Sequence, residues 1–143
     1  MTNVAQVLYN KSNKEIVTIH PEATVLEAIA MMAQKGIGAL VVLDAQHVVG
    51  ILSERDYTRK IALHHRSSDH TTVAEIMTSK VITVNPQQSV EECLSLMTDK
   101  HLRHLPVVEN DQLVGLISIG DLVKATMEDQ KQLILQLQQY ISG

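Results

Sequence analysis

Two stretches of the chain follow one pattern, "GIGALVVLDAQHVVGILSERD" at residues 36–56 and "HLRHLPVVENDQLVGLISIGD" at residues 101–121. In each, two short apolar runs flank a polar loop, and Ser-x-x-Asp follows. Short apolar runs rich in β-branched residues predict buried strands, and the loop between them predicts a hairpin. The two stretches are offset by 65 residues, so the fold is that of an internal repeat.

Each repeat predicts the order strand, helix, strand, strand, helix. In the first repeat the elements are a strand from Ile16 to Ile19, a helix capped by Thr24 and ended by Gly36, strands 39–43 and 48–52 around the loop 44–47, and a helix from about Glu54. In the second they are a strand 81–84, a helix from Ser89, strands 104–108 and 113–117 around the loop 109–112, and a helix from Ile119.

Two further features complete the predicted architecture. A short lead-in helix precedes each repeat, at 4–8 and 73–77, with an offset slightly different from that of the repeats. Pro106 has no amide hydrogen, so the strand that contains it is expected to be irregular or unpaired on one side. A β-α-β-β-α unit leaves one sheet face bare, so the two copies are expected to pack around a pseudo-two-fold axis.

The predicted fold class is therefore mixed, α/β (α+β), with a long C-terminal helix. The predicted ranges are 1–70 for the first repeat with its lead-in helix, 71–126 for the second, and 127–143 for a helical extension. In the tail, apolar residues and one Gln recur at alternating steps of four and three: Val123, Met127, Gln130, Ile134, Leu137 and Ile141. This heptad seam either folds back on its own chain or, as we favour, pairs with a second copy.

Composition excludes several classes of function. The formal charge of -4 argues against electrostatic binding of a nucleic-acid backbone. With three Tyr and no Phe or Trp, the chain also has few aromatic side chains on which bases could stack. No apolar run approaches the roughly 20 residues that span a bilayer, and the start of the chain lacks a continuous apolar signal core. A single Cys93 fits a reducing compartment. We expect a cytoplasmic protein without membrane or nucleic-acid partners.

The Ser-x-x-Asp segments allow two interpretations. Ser53 and Asp56 can simply cap a helix, with Ser as the N-cap and Asp in the first turn. The same junction suits a nucleotide, because free amides at a helix start attract phosphate and a carboxylate one turn later can accept hydrogen bonds from both ribose hydroxyls. The two interpretations are compatible. The first segment brings its own cation in Arg55, whereas the second, with Ser118 and Asp121, does not.

These motifs together resemble a pair of cystathionine-β-synthase (CBS) domains. The resemblance rests on the openings "TIHP" and "TVNP", the hydrophobic-Gly-hydrophobic-x-Ser-x-x-Asp endings, the lead-in "VAEIMT", and the strings "GIGALVV", "ERDY" and "RHLPV". It covers nearly the whole chain and is closest in kind to small stand-alone bacterial proteins made of one CBS pair. The resemblance implies that Ser and Asp contact the phosphate and ribose of an adenosine ligand, that the base lies near the Thr-x-x-Pro strand, and that homodimers are common.

The candidate nucleotide-binding residues follow from the motifs and the resemblance together. In the first repeat they are Thr18, His20, Ile37, Gly38, Ala39, Ser53, Arg55 and Asp56. In the second they are Thr83, Arg103, His104, Pro106, Ser118, Gly120 and Asp121. The ligand class is an adenosine nucleotide such as AMP, ATP, NAD or S-adenosylmethionine, with no required cofactor. We expect the first site to prefer a phosphate-bearing ligand and the second to differ in affinity or ligand.

Several of these residues keep a second interpretation. Arg55 can form an exposed helix salt bridge, and Arg103 and His104 can be a solvated strand end or reach the phosphates of either site. Gly38 and its neighbours can serve as a helix stop or as room for an adenine; the segment follows a helix, so it is not a dinucleotide fingerprint. Cys93 is expected in the core. The linker histidines His64, His65 and His70 are expected to be solvated rather than to bind a metal.

Three functions remain open at this stage. The first is a regulatory module, a homodimer that senses an adenosine nucleotide and is read by an unknown downstream protein. The second is an enzyme that acts on a nucleotide, which no poised acid-base pair supports. The third is a dimerisation protein whose Ser-x-x-Asp segments only cap helices.

Overall fold

The structure, a computed structural model, describes residues 2–12 and 14–142 and divides into two compact units. The first-repeat unit comprises residues 16–82 with 111–113. The second-repeat unit comprises the described residues up to Glu15 together with 83–110 and 114–142.

The elements follow the predicted order. They are α1 (Val4–Asn10), β1 (Thr18–Ile19), α2 (Val25–Lys35), β2 (Ala39–Asp44), β3 (His47–Ser53), α3 (Glu54–Tyr57) continuing as a π-helical segment (Thr58–Ala62), α4 (Val73–Ile76), α5 (Val90–Lys100), β4 (His104–Glu109), β5 (Gln112–Ser118) and α6 (Ile119–Ser142). Strands β1, β2 and β3 form one sheet and β4 and β5 form another. The mixed α and β class with a long C-terminal helix is confirmed.

Both hairpin turns are tighter than predicted. Strand β2 runs to Asp44 and β3 begins at His47, so the turn consists of Ala45 and Gln46 rather than the four residues 44–47. Both turn residues have positive φ, 48° and 68°, as the type I′ turn requires. In the second repeat the residues at 110 and 111 form the same turn. The I′ backbone matches the twist of the strands, which allows pairing to continue up to the turn.

The second repeat lacks the predicted strand 81–84. Only Val84 pairs there, through a single parallel bridge to Val107, with hydrogen bonds from the Val84 amide to the Pro106 carbonyl (3.0 Å) and from the Val108 amide to the Val84 carbonyl (2.9 Å). The next hydrogen bond of a parallel ladder would come from the amide of residue 106, and proline has none. Pro106 thus ends the ladder. In the first repeat β1 is also shorter than predicted, Thr18–Ile19 instead of Ile16 to Ile19.

Each lead-in helix packs on the repeat that does not follow it in sequence. In the second-repeat unit, the Val4 amide of α1 donates to the Gln88 carbonyl at 2.9 Å. In the first-repeat unit, the equivalent Val73 amide of α4 donates to the Ala23 carbonyl at 2.8 Å. The compact units therefore group the lead-in helices differently from the sequence ranges 1–70 and 71–126. As divisions along the chain, those ranges and the extension 127–143 remain a proposal.

Both units bury aliphatic side chains. In the first-repeat unit the buried cluster includes Ile19, Val25, Ala28, Met32, Leu40, Val42, Leu52, Ile61, Val73 and Ile76. Cys93 is fully buried on α5, which confirms its predicted core position. Burial, with a smaller contribution from Glu92, raises the pKa of the Cys93 thiol to about 11, so the thiol is a poor nucleophile. No helix within residues 2–12 and 14–142 is both long and apolar enough to cross a membrane.

Candidate functional site

The first Ser-x-x-Asp segment forms a reciprocal capping box at the start of α3. The Ser53 amide donates to Asp56 Oδ2 at 2.9 Å, and the Asp56 amide donates to Ser53 Oγ at 3.2 Å. The Ser53 hydroxyl also donates to Asp56 Oδ2 at 3.1 Å. The helix-capping interpretation is thus met in full at this segment. Helix α3 has only four residues before the π-helical segment begins, so its dipole is a weak attraction for an anion. The main feature of the junction is therefore the fixed carboxylate of Asp56.

The other oxygen of Asp56 faces Thr78, two residues after α4, and Lys60 of the π-helical segment. Asp56 Oδ1 accepts a hydrogen bond from the Thr78 hydroxyl at 3.3 Å and lies 3.5 Å from Lys60 Nζ. Lys60 Nζ also donates to the Ile76 carbonyl at 2.8 Å. The Asp56 side chain is 13% exposed. The carboxylate is therefore held in one orientation with a small exposed edge.

The second segment repeats the box at the start of α6. The Ser118 amide donates to Asp121 Oδ2 at 2.8 Å, and the Asp121 amide donates to Ser118 Oγ at 3.1 Å. Lys11 Nζ, at the end of α1, donates to the same Oδ2 at 2.9 Å and to the Leu116 carbonyl at 2.8 Å. Although burial alone would raise the pKa of Asp121, the Ser118 amide and the Lys11 ammonium outweigh it and hold that pKa below its ordinary value of 3.8.

The cation beside each carboxylate comes from a different element in the two repeats. Lys60 is four residues after Asp56, and the corresponding position in the second repeat is Ala125. The second repeat uses Lys11 instead, which ends a lead-in helix and lies 110 positions before Asp121 in the chain. Sequence reasoning missed Lys11. The available signal was the similarity of the two lead-in segments, which we call the lead-in echo: "VAQVLYNK" at 4–11 resembles "VAEIMTSK" at 73–80. This alignment pairs Lys11 with Lys80, although Lys80 is exposed.

Pairing of β2 with β3 brings several predicted residues of the first repeat to the Asp56 box. Ala39 is opposite Ser53, and the Gly38 carbonyl accepts the Glu54 amide at 3.1 Å. Ile37, half-buried, directly precedes them. Ala39 itself is buried, with 1% exposure.

Other predicted residues of the first repeat lie further away. Thr18 on β1 is opposite Val41, two positions along β2 from Ala39. His20 follows β1 in the same direction, four positions from the level of Ser53, which is roughly 13 Å at about 3.3 Å per residue. His20 Nε2 lies 3.6 Å from Asp44 at the hairpin end of the sheet. Arg55 is exposed on α3. The structure therefore does not bring His20 to the Asp56 box.

The second repeat reproduces the junction at Ser118 with different side chains. The Arg103 carbonyl accepts the Ile119 amide at 2.9 Å, as the Gly38 carbonyl accepts that of Glu54. Gly120 is exposed in the first turn of α6. A Cβ at this position would make only an ordinary contact, 3.6 Å from Ser118 Oγ. Arg103 is exposed immediately before β4.

The remaining predicted residues of the second repeat follow the strand. His104 begins β4 and is half-buried, and Pro106 is buried on the same strand. Thr83 is exposed next to the single bridge at Val84. Arg103 and His104 both belong to the second-repeat unit.

A cleft of about 510 Å³ adjoins the Asp121 box within the second-repeat unit. This volume falls in the range of small-molecule sites. Its walls come from α1 and α6, and its lining residues are Thr2, Val7, Asn10, Lys11, Ser12, Asp121, Lys124, Ala125, Glu128 and Asp129. The cleft thus joins the carboxylate of Asp121 to two lysines and two further acidic side chains.

The linker histidines do not assemble a metal site in the part of the chain that the structure describes, where no group of three or more His, Cys, Asp or Glu could hold an ion. His70 instead forms an exposed hydrogen-bonded cluster with Asp69 and Ser67. Both the Ser67 hydroxyl and Asp69 meet the same nitrogen of His70, Nδ1, which is not the geometry of a catalytic triad.

The tandem units, each with a capped Ser-x-x-Asp junction, define a CBS pair. The model of the CBS domain family matches residues 4–63 and 73–128, and the chain belongs to this family.

Known proteins agree with this assignment. A solved CBS-domain protein from Burkholderia ambifaria MC40-6 is 52% identical with a TM-score of 0.86, covering 90% of this chain and 96% of that one. The mitochondrial CBS domain-containing protein CBSX3 of Arabidopsis thaliana is 42% identical over 125 residues, which are 84% of this chain and 61% of that protein.

A third similar structure was solved with ligands. The CBS domain pair of protein MJ0100, in complex with 5′-methylthioadenosine and S-adenosyl-L-methionine, is 25% identical with a TM-score of 0.78, covering 90% of this chain and 98% of that one.

Proposed function

We propose that the chain is a regulatory module that binds an adenosine-containing ligand, with Asp56 and Asp121 on ribose hydroxyls and Ser53 and Ser118 near phosphate. The observation that carries the proposal is the repeated box, in which one carboxylate per repeat is fixed by a serine amide yet partly exposed. A carboxylate has about four lone-pair positions. Ser118 and Lys11 both meet Oδ2 of Asp121, which leaves acceptor capacity on Oδ1. At Asp56, a diol would replace the Thr78 hydroxyl or Lys60 at Oδ1. The adenosine ligands of the MJ0100 pair support the ligand class.

The test must separate binding from capping, because both boxes also cap helices. Calorimetry and thermal shift with AMP, ATP, NAD and S-adenosylmethionine are measured on the wild type, Asp56→Ala and Asp121→Ala. A ligand at about 100 times its dissociation constant adds about 2.7 kcal/mol of stability. Each substitution is expected to weaken binding at its own site by tenfold or more, because a ribose hydrogen bond to a charged group contributes about 1.5–3 kcal/mol.

The chain offers matched controls for the loss of a cap. Glu92 accepts the Ser89 amide at 3.2 Å in the second-repeat unit, and Glu75 accepts the Thr72 amide at 2.7 Å in the first. Glu92→Ala and Glu75→Ala therefore remove the same kind of capping carboxylate away from the Asp boxes. They are expected to lower stability by about 1 kcal/mol or less and to leave affinity unchanged.

The alternatives give different results in the same experiment. A purely structural module predicts no shift with any of the four ligands. An enzyme predicts that bound ATP or NAD is converted, which chromatography of the incubated samples would reveal. Ligand binding that survives both Asp substitutions would overturn the proposed site.

We also propose that the module is a homodimer that pairs through α6. Only Leu122 of this helix is buried, whereas Ile134, Leu137 and Ile141 of the heptad seam are 56%, 52% and 82% exposed in the single chain. A seam of this spacing is typical of helices that pair. Ligand binding would change the arrangement that an unidentified downstream protein reads.

Light scattering tests the α6 pairing. The double change Ile134→Glu with Ile141→Glu is expected to give a monomer, because it places two charges in the seam. Gln132→Glu with Gln139→Glu adds the same charge at the same spacing on the opposite face, where both side chains are exposed, and is expected to leave the dimer intact. A dimer that survives the seam substitutions would show that another surface forms it.

A further inference from the structure

Lys11 has an unusual position for a lysine. It caps the end of α1, where its amide donates to the Leu8 carbonyl at 3.4 Å, and its side chain is only 26% exposed. The ammonium has two acceptors, the Leu116 carbonyl and Asp121 Oδ2. A partly buried ammonium depends on such partners, since losing one leaves the charge poorly compensated.

A ribose at Asp121 would compete with this lysine. Asp121 Oδ2 already accepts two hydrogen bonds, from the Ser118 amide and from Lys11, and one carboxylate oxygen has two lone pairs. A diol that engages both carboxylate oxygens must displace one donor. The Ser118 amide is fixed by the start of α6, so the donor that can leave is the flexible side chain of Lys11.

We propose that Lys11 makes the second-repeat site selective for adenosine ligands that carry a phosphate; this rests on the proposed binding of ribose by Asp121. The phosphate takes the place of the carboxylate as the partner of the displaced ammonium. A neutral nucleoside supplies no such partner. Lys11 thereby provides the cation that the segment "SIGD" itself lacks.

The other charges of the cleft make a phosphate dependent on its lysines, of which Lys11 is the one bonded to Asp121. Glu128 and Asp129 line the same cleft and repel a phosphate, and Lys124 is the second cation there. Asp129 accepts a hydrogen bond from the Thr2 hydroxyl at 2.6 Å, which holds its carboxylate in place. Two lysines against three carboxylates leave the cleft with a formal charge of -1, so a phosphate depends on direct contact with a lysine, and removing Lys11 makes the charge -2.

In the first-repeat unit the arrangement differs. Lys60 lies 3.5 Å from Asp56 Oδ1, while the Ser53 box occupies Oδ2, and Lys60 follows Asp56 on the same helical stretch. The lead-in lysine that corresponds to Lys11 is Lys80, and it is exposed. Lys80 is therefore a matched control, with the same residue type at the same place in the lead-in echo.

The experiment compares AMP with adenosine by calorimetry on the full chain. Asp56→Ala is the background, which removes the first-repeat site from the measurement. On this background we expect AMP to bind about tenfold or more tightly than adenosine, the value of one charge-assisted hydrogen bond. Lys11→Met is expected to bring the two affinities to within about threefold, Lys11→Arg to retain most of the preference, and Lys80→Met to leave it unchanged.

The outcomes separate this inference from the proposed function. An unchanged AMP preference in Lys11→Met, with binding still lost in Asp121→Ala, overturns the role of Lys11 and leaves the proposed site standing. No binding of AMP by the Asp56→Ala background overturns the role of Lys11, and the proposed function falls as well only if none of AMP, ATP, NAD and S-adenosylmethionine binds the wild type. If Lys11→Met does not fold, Lys11→Gln, which keeps a donor for the Leu116 carbonyl, is measured in its place.

Discussion

Gly115 of β5 lies directly against Leu8 of α1, and a Cβ at position 115 would be 2.6 Å from Leu8 Cδ2 and 2.9 Å from Cδ1. The glycine in the hydrophobic-Gly-hydrophobic motif therefore makes room for a lead-in helix. Gly115→Ala is expected to lower the free energy of unfolding by about 1–3 kcal/mol, because the whole Leu8 branch must move. Urea denaturation at neutral pH measures the change.

Two variants control the Gly115 prediction. Leu8→Ala in the Gly115→Ala protein opens space for the new methyl group, so the combined loss should be smaller than the sum of the single losses. Gly120→Ala meets only an ordinary contact in the first turn of α6 and should be neutral or stabilising by about 0.5–1 kcal/mol. Equal stability of Gly115→Ala and the wild type would contradict the packing of α1 on β5.

Gly36 and His101 end the equivalent helices α2 and α5, and both have left-handed backbone, with φ of 66° and 56°. Glycine adopts this conformation without strain, whereas a side chain costs about 1 kcal/mol. His101→Gly is therefore expected to raise the melting temperature by a few degrees. Gly36→Ala, whose methyl group would meet no atom within 4 Å, should lower it by a similar amount through the backbone alone. Opposite signs in calorimetric melts confirm the pair; a loss in both contradicts it.

The hairpin turn of the first repeat carries residues poorly suited to it. Ala45 and Gln46 both have positive φ, while Asn110 and Asp111 at the equivalent turn tolerate that backbone better. Replacing Ala45 and Gln46 with Asn and Gly is expected to stabilise the protein by about 1 kcal/mol, since Asn-Gly is the preferred type I′ pair. Asn110→Ala should destabilise by a comparable amount. Denaturation midpoints measure both, and no gain from Asn-Gly would argue against the type I′ turn.

The sequence was a good guide where structure depends on neighbours in the chain. The order of elements, the left-handed Gly36 and the Ser-x-x-Asp boxes were predictable, because each depends on residues within a few positions. The missing strand at 81–84 could not be predicted, because it depends on a partner that is distant in the chain. Pro106 signalled unpaired backbone, but which partner would lose its ladder was visible only once Val84 was placed beside it.

The candidate site was only half predictable, because its charge compensation comes from afar. Lys11 and Asp121 are 110 positions apart, and Thr78 reaches Asp56 from the other lead-in segment. The echo between the lead-in helices showed that both exist. It carried no information on which repeat each one packs against, so the cation of the second box could not be assigned.

The Lys11 and Asp121 pair predicts a defined response to acid. Asp121 has a lowered pKa, in which the Ser118 amide and Lys11 outweigh burial, so its contribution to stability is complete above its ordinary value of 3.8. That contribution is lost as the pH falls through the lower folded-state pKa. Lys11→Met should lower the free energy of unfolding by about 1.5–3 kcal/mol at pH 7, the value of a hydrogen bond to a charged group.

The difference between wild type and Lys11→Met is the informative quantity, because the other carboxyl groups titrate in both proteins. It should be largest near neutral pH and shrink as the pH falls below 3.8, where protonation of Asp121 removes the charge that Lys11 compensates. Urea denaturation from pH 7 to pH 2.5 measures it. Lys80→Met, at an exposed lysine, should remain within about 0.5 kcal/mol of the wild type throughout. A Lys11→Met difference that stays constant with pH would show that the lysine stabilises the fold through its aliphatic packing, independently of the Asp121 charge.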